Sequence, residues 1–197
     1  MEVLAISKNI NEEAKILNSV DFKFNSNNVT WEYNNIKVEL QISNINFVNV
    51  EKENRYIYIV CGENFSEDIT HYYSFEGNRI FSYDKIKGMV SWDFKGKTVE
   101  LNCNGVINAK LFIDQEVVIV LENGQNSNDR VIGYNLDGGL KFENYAPENY
   151  KFLYLSASQD RITVVCEGGN SDSYGRNSWH FELNLSTGEL TKINLAY

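Results

Sequence analysis

One stretch of this chain occurs twice, and that duplication constrains the fold more than any other feature of the sequence. Val29–Tyr33 and Val38–Leu40 return 61 residues later as Val90–Phe94 and Val99–Leu101. The offset then continues without a gap as far as Phe142. A chain that repeats a segment of this length uses one supersecondary unit several times.

The duplicated stretch has the pattern of a β-hairpin that begins with a tryptophan strand. Trp31 and Tyr33 alternate with polar residues, which is the period of a half-buried strand. Asn34-Asn35 and Lys95-Gly96 are residue pairs that accept positive φ between two strands. Trp31 and its counterpart Trp92 are predicted to be core anchors, with ligand stacking as the alternative.

A third copy joins the first two after the hairpin. The apolar run Tyr56–Gly62 matches Val117–Gly124, and that run matches Ile162–Gly169 at an offset of 45. No tryptophan hairpin precedes the third copy, so either it was lost or the first strands of the chain replace it. We predict a single all-β domain over residues 1–197, with internal copies at about 29–84, 90–145 and 151–195.

The last turn of the third copy carries a resemblance to a known family. Leu183–Leu190 resembles the turn of quinoprotein-like propeller repeats, in which a Thr-Gly pair follows a polar bend and leads into an outer strand. This resemblance implies a blade-like fold, and no quinone chemistry. Four short antiparallel strands in each copy predict a small β-propeller of about four or five blades. The alternative is a β-sandwich built from a duplicated sheet.

The charge of the chain restricts its partners. There are 27 acidic and 18 basic residues, and the net charge is −9. Such a surface repels phosphate backbones and anionic membranes. The charge therefore predicts a basic protein partner, and neither a nucleic acid nor a membrane. Solubility alone is the plainer explanation of the same charge.

Cysteine usage and the start of the chain predict a reducing cytoplasm. Cys61, Cys103 and Cys166 are an odd number without a Cys-x-x-Cys pair, so we predict buried free thiols and no zinc site. The apolar run Val3–Ile6, a predicted strand, is too short for a signal peptide. The sequence has no run of 18 apolar residues, so it predicts no membrane span.

Candidate catalytic groups are few and do not converge. His71 and His180 do not occupy matched positions of the copies, so they predict no catalytic triad. Glu76 and Asp137 occupy equivalent turns, and repeat symmetry would keep such a pair apart. The polar segments 123–129 and 170–177 lack the acid spacing of a calcium loop. We predict no catalytic residue, metal or cofactor.

The connectors that leave the apolar strands are the predicted binding surface. Gly62–Asp68, Gly124–Arg130 and Gly169–Asn177 occupy the same place in each copy and differ most in sequence. We expect them to emerge on one side of the fold, where variable loops on a constant scaffold commonly bind partners. The predicted partner-binding residues are Glu63, Phe65, Glu67, Asp68, Asn126, Asp129, Asp172, Tyr174 and Arg176.

These features predict a non-enzymatic protein-binding module. Its most concrete form is an immunity-type protein that binds and blocks a basic toxin, for example a nuclease. The alternative is a small carbohydrate-active hydrolase or lyase, which needs two carboxylates in one pocket. A sugar-binding domain is also open, and it needs Trp31 or Trp92 on the surface.

Overall fold

The protein is all-β throughout the part of the chain that the computed structural model describes, which is residues 20–51, 56–124, 128–158 and 161–196. The strand predicted at residues 3–6 and the predicted site residue Asn126 lie outside these ranges. Strands and tight turns fill the described residues, apart from a short 3-10 turn at Glu63–Phe65.

The described strands are numbered in chain order, and their bounds are β1 Phe22–Asn25, β2 Asn28–Tyr33, β3 Ile36–Gln41, β4 Ile45–Glu51, β5 Tyr56–Cys61, β6 Ile69–Ser74, β7 Arg79–Asp84, β8 Met89–Phe94, β9 Lys97–Asn102, β10 Val106–Phe112, β11 Val117–Glu122, β12 Arg130–Asn135, β13 Leu140–Tyr145, β14 Tyr150–Ser158, β15 Arg161–Gly168, β16 Ser178–Leu183 and β17 Leu190–Leu195. Four antiparallel sheets contain them in the hydrogen-bonded orders β1-β2-β3, β4 through β9 in sequence, β10-β11-β12-β13 and β14-β15-β16-β17. Within each sheet, strands that are consecutive along the chain are hydrogen-bonded neighbours.

The chain divides into two compact units. The first unit ends at Ser82 and the second begins at Tyr83, so the boundary falls within β7. Each unit has its own hydrophobic core.

In the first unit, the tryptophan hairpin packs on the sheet that follows it. Trp31 is 2% exposed, and its indole Nε1 donates a hydrogen bond of 2.7 Å to the carbonyl of Phe75. Trp31 is therefore a core anchor, as predicted, and it is not available for ligand stacking. The buried core side chains are Val29, Trp31, Val38, Ile45, Val48, Ile57, Ile59, Cys61 and Phe75.

The second unit opens with the same module. Each strand from β2 to β7 begins and ends 61 residues before its counterpart from β8 to β13. Trp92 is also 2% exposed, and its Nε1 donates to the carbonyl of Leu136 at 2.7 Å. The duplication seen in the sequence is therefore a duplication of strand bounds and of a specific hydrogen bond.

The third copy packs differently, because no hairpin precedes it. Its sheet, β14 to β17, shares one core with β10 to β13, and its turn glycine Gly188 lies against the ring of Phe142. The described first strand of the chain, β1, pairs with β2. Within the second unit, the preceding four-stranded sheet thus takes the place that the hairpin has in the other copies.

A β-bulge at the same place in all three copies corrects the predicted alignment of the third. The last ladder pairs before the bulge are Ile45 with Cys61, Val106 with Glu122, and Phe152 with Cys166. Cys166 is therefore equivalent to Glu122 at an offset of 44, and the offset of 45 was wrong by one residue. The correction matters because a slip of one residue exchanges the two faces of a strand.

Candidate binding surface

Two of the three predicted connectors meet in the second unit. Asn128 from the connector after β11, and Gly169 and Asn177 from the connector after β15, line the same open cleft. The cleft has a volume of about 630 Å³. Its lining residues are Asn128, Ala146, Pro147, Glu148, Asn149, Tyr150, Lys151, Glu167, Gly168, Gly169 and Asn177.

The connector Gly169–Asn177 is held in shape by one carboxylate. Asp172 accepts hydrogen bonds from the backbone N–H groups of Tyr174 (2.8 Å) and Arg176 (2.9 Å), and from the guanidinium of Arg176 at 2.7 Å and 2.8 Å. The side-chain bond from Arg176 is the main cause that lowers the pKa of Asp172. This connector is therefore a closed turn.

This closed turn displays an aromatic ring. Tyr174 is 81% exposed, and the Arg176 guanidinium lies 5.0 Å from the centre of its ring. Gly175, with φ of 79°, supplies the left-handed residue that the turn needs. Tyr174 is thus presented to solvent by a turn whose geometry the chain itself fixes.

Asp129 is not on the surface where the sequence placed it. It is 8% exposed, and its Oδ2 accepts the backbone N–H of Phe152 at 3.0 Å. Its own carbonyl accepts the N–H of Ala146 at 2.8 Å. The carboxylate thus links two neighbouring sheets of the second unit through the N–H of Phe152. Asp129 could contact a partner only if this hydrogen bond between the sheets were broken.

Two carboxylates that the sequence reasoning missed line the cleft instead. Glu148 lies between β13 and β14, and Glu167 lies near the end of β15. The Oε1 of Glu167 accepts the amide of Asn177 at 3.2 Å. Proximity of Glu148 to the only proline, Pro147, was the one sequence hint of a fixed loop at this place.

In the first unit, the connector Gly62–Asp68 carries the remaining predicted residues. Glu63, Phe65 and Glu67 are exposed, and Phe65 is 88% exposed. Asp68 is half-buried and accepts the hydroxyl of Ser66 at 2.6 Å. Four of the predicted side chains therefore lie in one short segment of this unit.

The second copy also contains an ionic group, around one buried carboxylate, at positions that are uncharged in the first. Glu122 is 3% exposed and pairs with Arg130 at 2.6 Å, and Arg130 also pairs with Glu143 at 2.7 Å. The side-chain bond to Glu122 is the main cause that raises the pKa of Arg130. This arrangement is structural, since the one guanidinium of Arg130 binds the carboxylates of both Glu122 and Glu143.

His180 and the cysteines have structural surroundings. His180 Nδ1 lies 3.1 Å from the hydroxyl of Thr163 on the neighbouring strand. Cys61 and Cys166 are buried free thiols, as predicted, and burial raises their pKa values to about 11 and about 12. Cys103 is also a free thiol, but it is only half-buried, so the prediction of burial was wrong for this residue. Among the described residues, no group of three or more His, Cys, Asp or Glu side chains is placed to hold a metal ion.

No protein-family description and no curated protein match this chain. Among solved structures, it is similar to a protein of unknown function from Bacteroides caccae, with 12% sequence identity and a TM-score of 0.37. That similarity covers 90% of this chain and 57% of the other protein, and at this TM-score it supports no conclusion. None of the described residues forms a helix long and apolar enough to cross a bilayer.

Proposed function

We propose that this protein is a binding module for a basic protein, and that its most concrete role is to block a basic toxin as an immunity-type protein. The observation that carries the proposal is the closed turn at Asp172–Arg176, which holds Tyr174 81% exposed. Exposed tyrosine on a pre-formed turn is a common protein-binding anchor, because little conformational entropy is lost on binding.

The cleft beside this turn supports a basic partner. Its walls include Glu148 and Glu167, and the turn that displays Tyr174 leaves the wall at Gly169 and returns to it at Asn177. A lysine or arginine side chain of a partner fits the carboxylates and amide oxygens of the cleft. Lys151 lies on the same wall, and its positive charge would repel a partner segment that brings many positive charges into the cleft.

The test is calorimetric titration with the purified product of the gene adjacent to the gene for this protein. We expect Tyr174→Ala to weaken binding by at least about tenfold. The double variant Glu148→Gln/Glu167→Gln should weaken binding and make the affinity less dependent on salt. Glu189→Gln, an exposed acid on another turn of the same unit, is the matched control and should change little.

Absence of binding by the intact chain would refute the toxin-blocking role. Equal affinity of the intact chain and all three variants would refute the surface assigned here. An affinity that does not change with salt concentration would contradict an electrostatic contribution to binding.

A second candidate, carbohydrate binding or hydrolysis, is favoured by one observation. Glu148 and Glu167 line one cleft, as a two-carboxylate mechanism requires. The test is a titration with soluble disaccharides followed by amide NMR. Shifts confined to the cleft that disappear in Glu148→Gln/Glu167→Gln would favour this candidate, and hydrolysis products would establish an enzyme. Unchanged spectra would eliminate it.

We propose a propeller-like arrangement for the finer architecture, with the duplicated-sheet sandwich as its alternative. It is supported by the four-stranded meander, which recurs with the same bulge in the first strand of each copy. An experimentally determined structure distinguishes the two. Sheets arranged around a central axis would support the propeller, and two stacked layers would support the sandwich.

A further inference from the structure

We propose that Phe65 is an aromatic anchor that inserts into an apolar pocket rimmed by lysine or arginine on the basic partner. This inference rests on the proposed function, and it names a second contact that lies in the other unit of the chain.

The backbone at Phe65 is in a conformation that phenylalanine disfavours. Asn64 and Phe65 have φ values of 52° and 64°, so two consecutive residues are left-handed. Asparagine tolerates that region, whereas a bulky L-residue is a genuine outlier there. Strained positions of this kind concentrate at functional sites. For folding alone, glycine or asparagine would serve better at position 65.

Packing of the Phe65 side chain within the fold offsets little of the cost of this backbone conformation. At 88% exposure its ring leaves most of its apolar surface in water, although phenylalanine is among the side chains that gain most from burial. The residue is therefore unfavourable for the isolated chain in both its backbone and its side chain. Burial of the ring in a partner removes the second disadvantage.

The connector is held rigid by a residue that the β-bulge redirects. Asn46 is the extra residue of the bulge in β4, and its amide donates to the carbonyls of Gly62 at 3.0 Å and Ser66 at 2.6 Å. Bulges commonly re-aim a side chain beside a functional site. The bulge residues of the other copies, Ile107 and Leu153, cannot make these bonds.

Close backbone contact closes the connector further. A Cβ atom at Gly62 would overlap the carbonyl oxygen of Ser66, so only glycine allows the two ends to approach. The N–H of Asp68 donates to the carbonyl of Cys61 at 3.0 Å. Phe65 thus stands at the tip of a closed loop.

The charge of the connector determines the kind of partner. Glu63, Glu67 and Asp68 are acidic, and the segment contains no basic residue. An apolar anchor on a segment with three carboxylates complements an apolar pocket rimmed by lysine or arginine, because the ring supplies burial and the charges supply orientation. A neutral or acidic rim around the pocket would be repelled or left without a partner charge.

The experiment compares four variants of the full chain, in thermal unfolding and in titration with the same adjacent-gene product. Phe65→Gly relieves the left-handed strain and removes the ring. We expect it to raise the Tm by about 2–4 °C and to weaken binding by at least about tenfold. Phe65→Asn, which also tolerates positive φ, repeats this test should the glycine variant fold poorly.

Asn64→Gly is the matched control, because it relaxes the neighbouring residue and keeps the ring. We expect its affinity to stay within about twofold of the unaltered chain. Asn46→Ile places the bulge residue of the second copy in the first. It should weaken binding although Phe65 is retained, because the loop must then be ordered on binding.

The outcomes separate this inference from the proposed function. If the unaltered chain does not bind, the toxin-blocking role and this inference are both overturned. If it binds and Phe65→Gly binds as tightly, only the anchor is overturned. An equal loss in Asn64→Gly would also overturn it, because loop conformation and not the ring would then determine the affinity. An unchanged Asn46→Ile affinity would refute rigid presentation.

Discussion

At the scale of single residues, the turn glycines show how one position fixes the packing of a whole module. Gly77 and Gly138 occupy matched turns, and both have φ of 91°. A Cβ atom at Gly77 would lie 2.7 Å from Val38, and one at Gly138 would lie 3.0 Å from Val99, each a valine of the tryptophan hairpin. The glycines therefore satisfy a turn and a close contact together.

Alanine at these turns should destabilise the protein through both causes. We expect about 1 kcal/mol from the left-handed backbone and about 1–3 kcal/mol more from the overlap with valine. Gly77→Ala should lose more than Gly138→Ala because its neighbour is closer. Urea unfolding measures the loss, and Gly96→Ala is the control, since Gly96 has positive φ with nothing within 4 Å of its Cβ position.

Val38→Ala should recover part of the loss in Gly77→Ala, because it removes the overlapping methyl group. If Gly96→Ala and Gly138→Ala lose the same stability, contact with the hairpin contributes nothing and only φ matters.

The buried thiols give a pH dependence. Burial raises the pKa of Cys61 from 9.0 to about 11 and that of Cys166 from 9.0 to about 12. The unfolded chain therefore loses these protons at lower pH than the folded chain. This contribution to stability is complete below pH 9 and is lost as the pH rises towards 11–12.

Urea midpoints at pH 8 to 11 measure this effect against the variant Cys61→Ala/Cys166→Ala. We expect the unaltered chain to lose more stability above pH 9 than the variant, which shares all its other titrating groups. Parallel losses would mean that the thiols are not the cause. Iodoacetamide at pH 8 should modify Cys61 and Cys166 only after unfolding, because the thiolate is the reactive form.

At the scale of elements, matched strands of the two copies carry different chemistry on the same backbone. Glu122, Arg130 and Glu143 form an ionic group in the second copy. The residues 61 positions earlier are Cys61, Ile69 and Ser82, which are uncharged. Three positions thus differ together, as the buried Glu122 requires, because its carboxylate alone would lack a partner.

The uncharged residues of the first copy supply the substitutions that test this ionic group. Arg130→Ile should destabilise the protein by about 3–5 kcal/mol, because Glu122 would be buried without its partner. The triple variant Glu122→Cys/Arg130→Ile/Glu143→Ser should recover most of that loss in urea unfolding. A triple variant that is no better than Arg130→Ile would show that the two copies do not pack equivalently.

At the scale of the whole molecule, two compact units with separate cores predict more than one unfolding transition. Trp31 anchors the first core, and Trp92 makes the equivalent bond in the second unit. Phenylalanine at either site removes the indole N–H and leaves a carbonyl without its donor, which costs about 1–3 kcal/mol.

We expect Trp31→Phe and Trp92→Phe to shift different transitions in urea unfolding followed by tryptophan fluorescence. Trp179→Phe, on β16 of the second unit, is the control for loss of an indole without that bond. A single transition that both variants shift equally would mean that the two units unfold as one.

The sequence predicted most of the local structure and only part of the surface. Hairpin turns at Asn34-Asn35 and Lys95-Gly96 have the positive φ values that their residue types indicated, and both tryptophans are buried. Asp129, by contrast, was assigned to the surface because it lies in a polar segment. Its burial depends on the N–H of Phe152, which comes from the following sheet, and no local pattern indicates that pairing.

What the sequence determined by itself is therefore the repeated module: its strands, its turns and the face that holds each tryptophan. The alternation of side chains and the residue preferences of turns depend on near neighbours in the chain, so the sequence alone predicts them. Only the tertiary structure decided that Asp129 lies inside, that Glu148 and Glu167 share a cleft, and that the third sheet packs on the second. Those outcomes depend on contacts between distant segments, which are determined by packing of whole sheets.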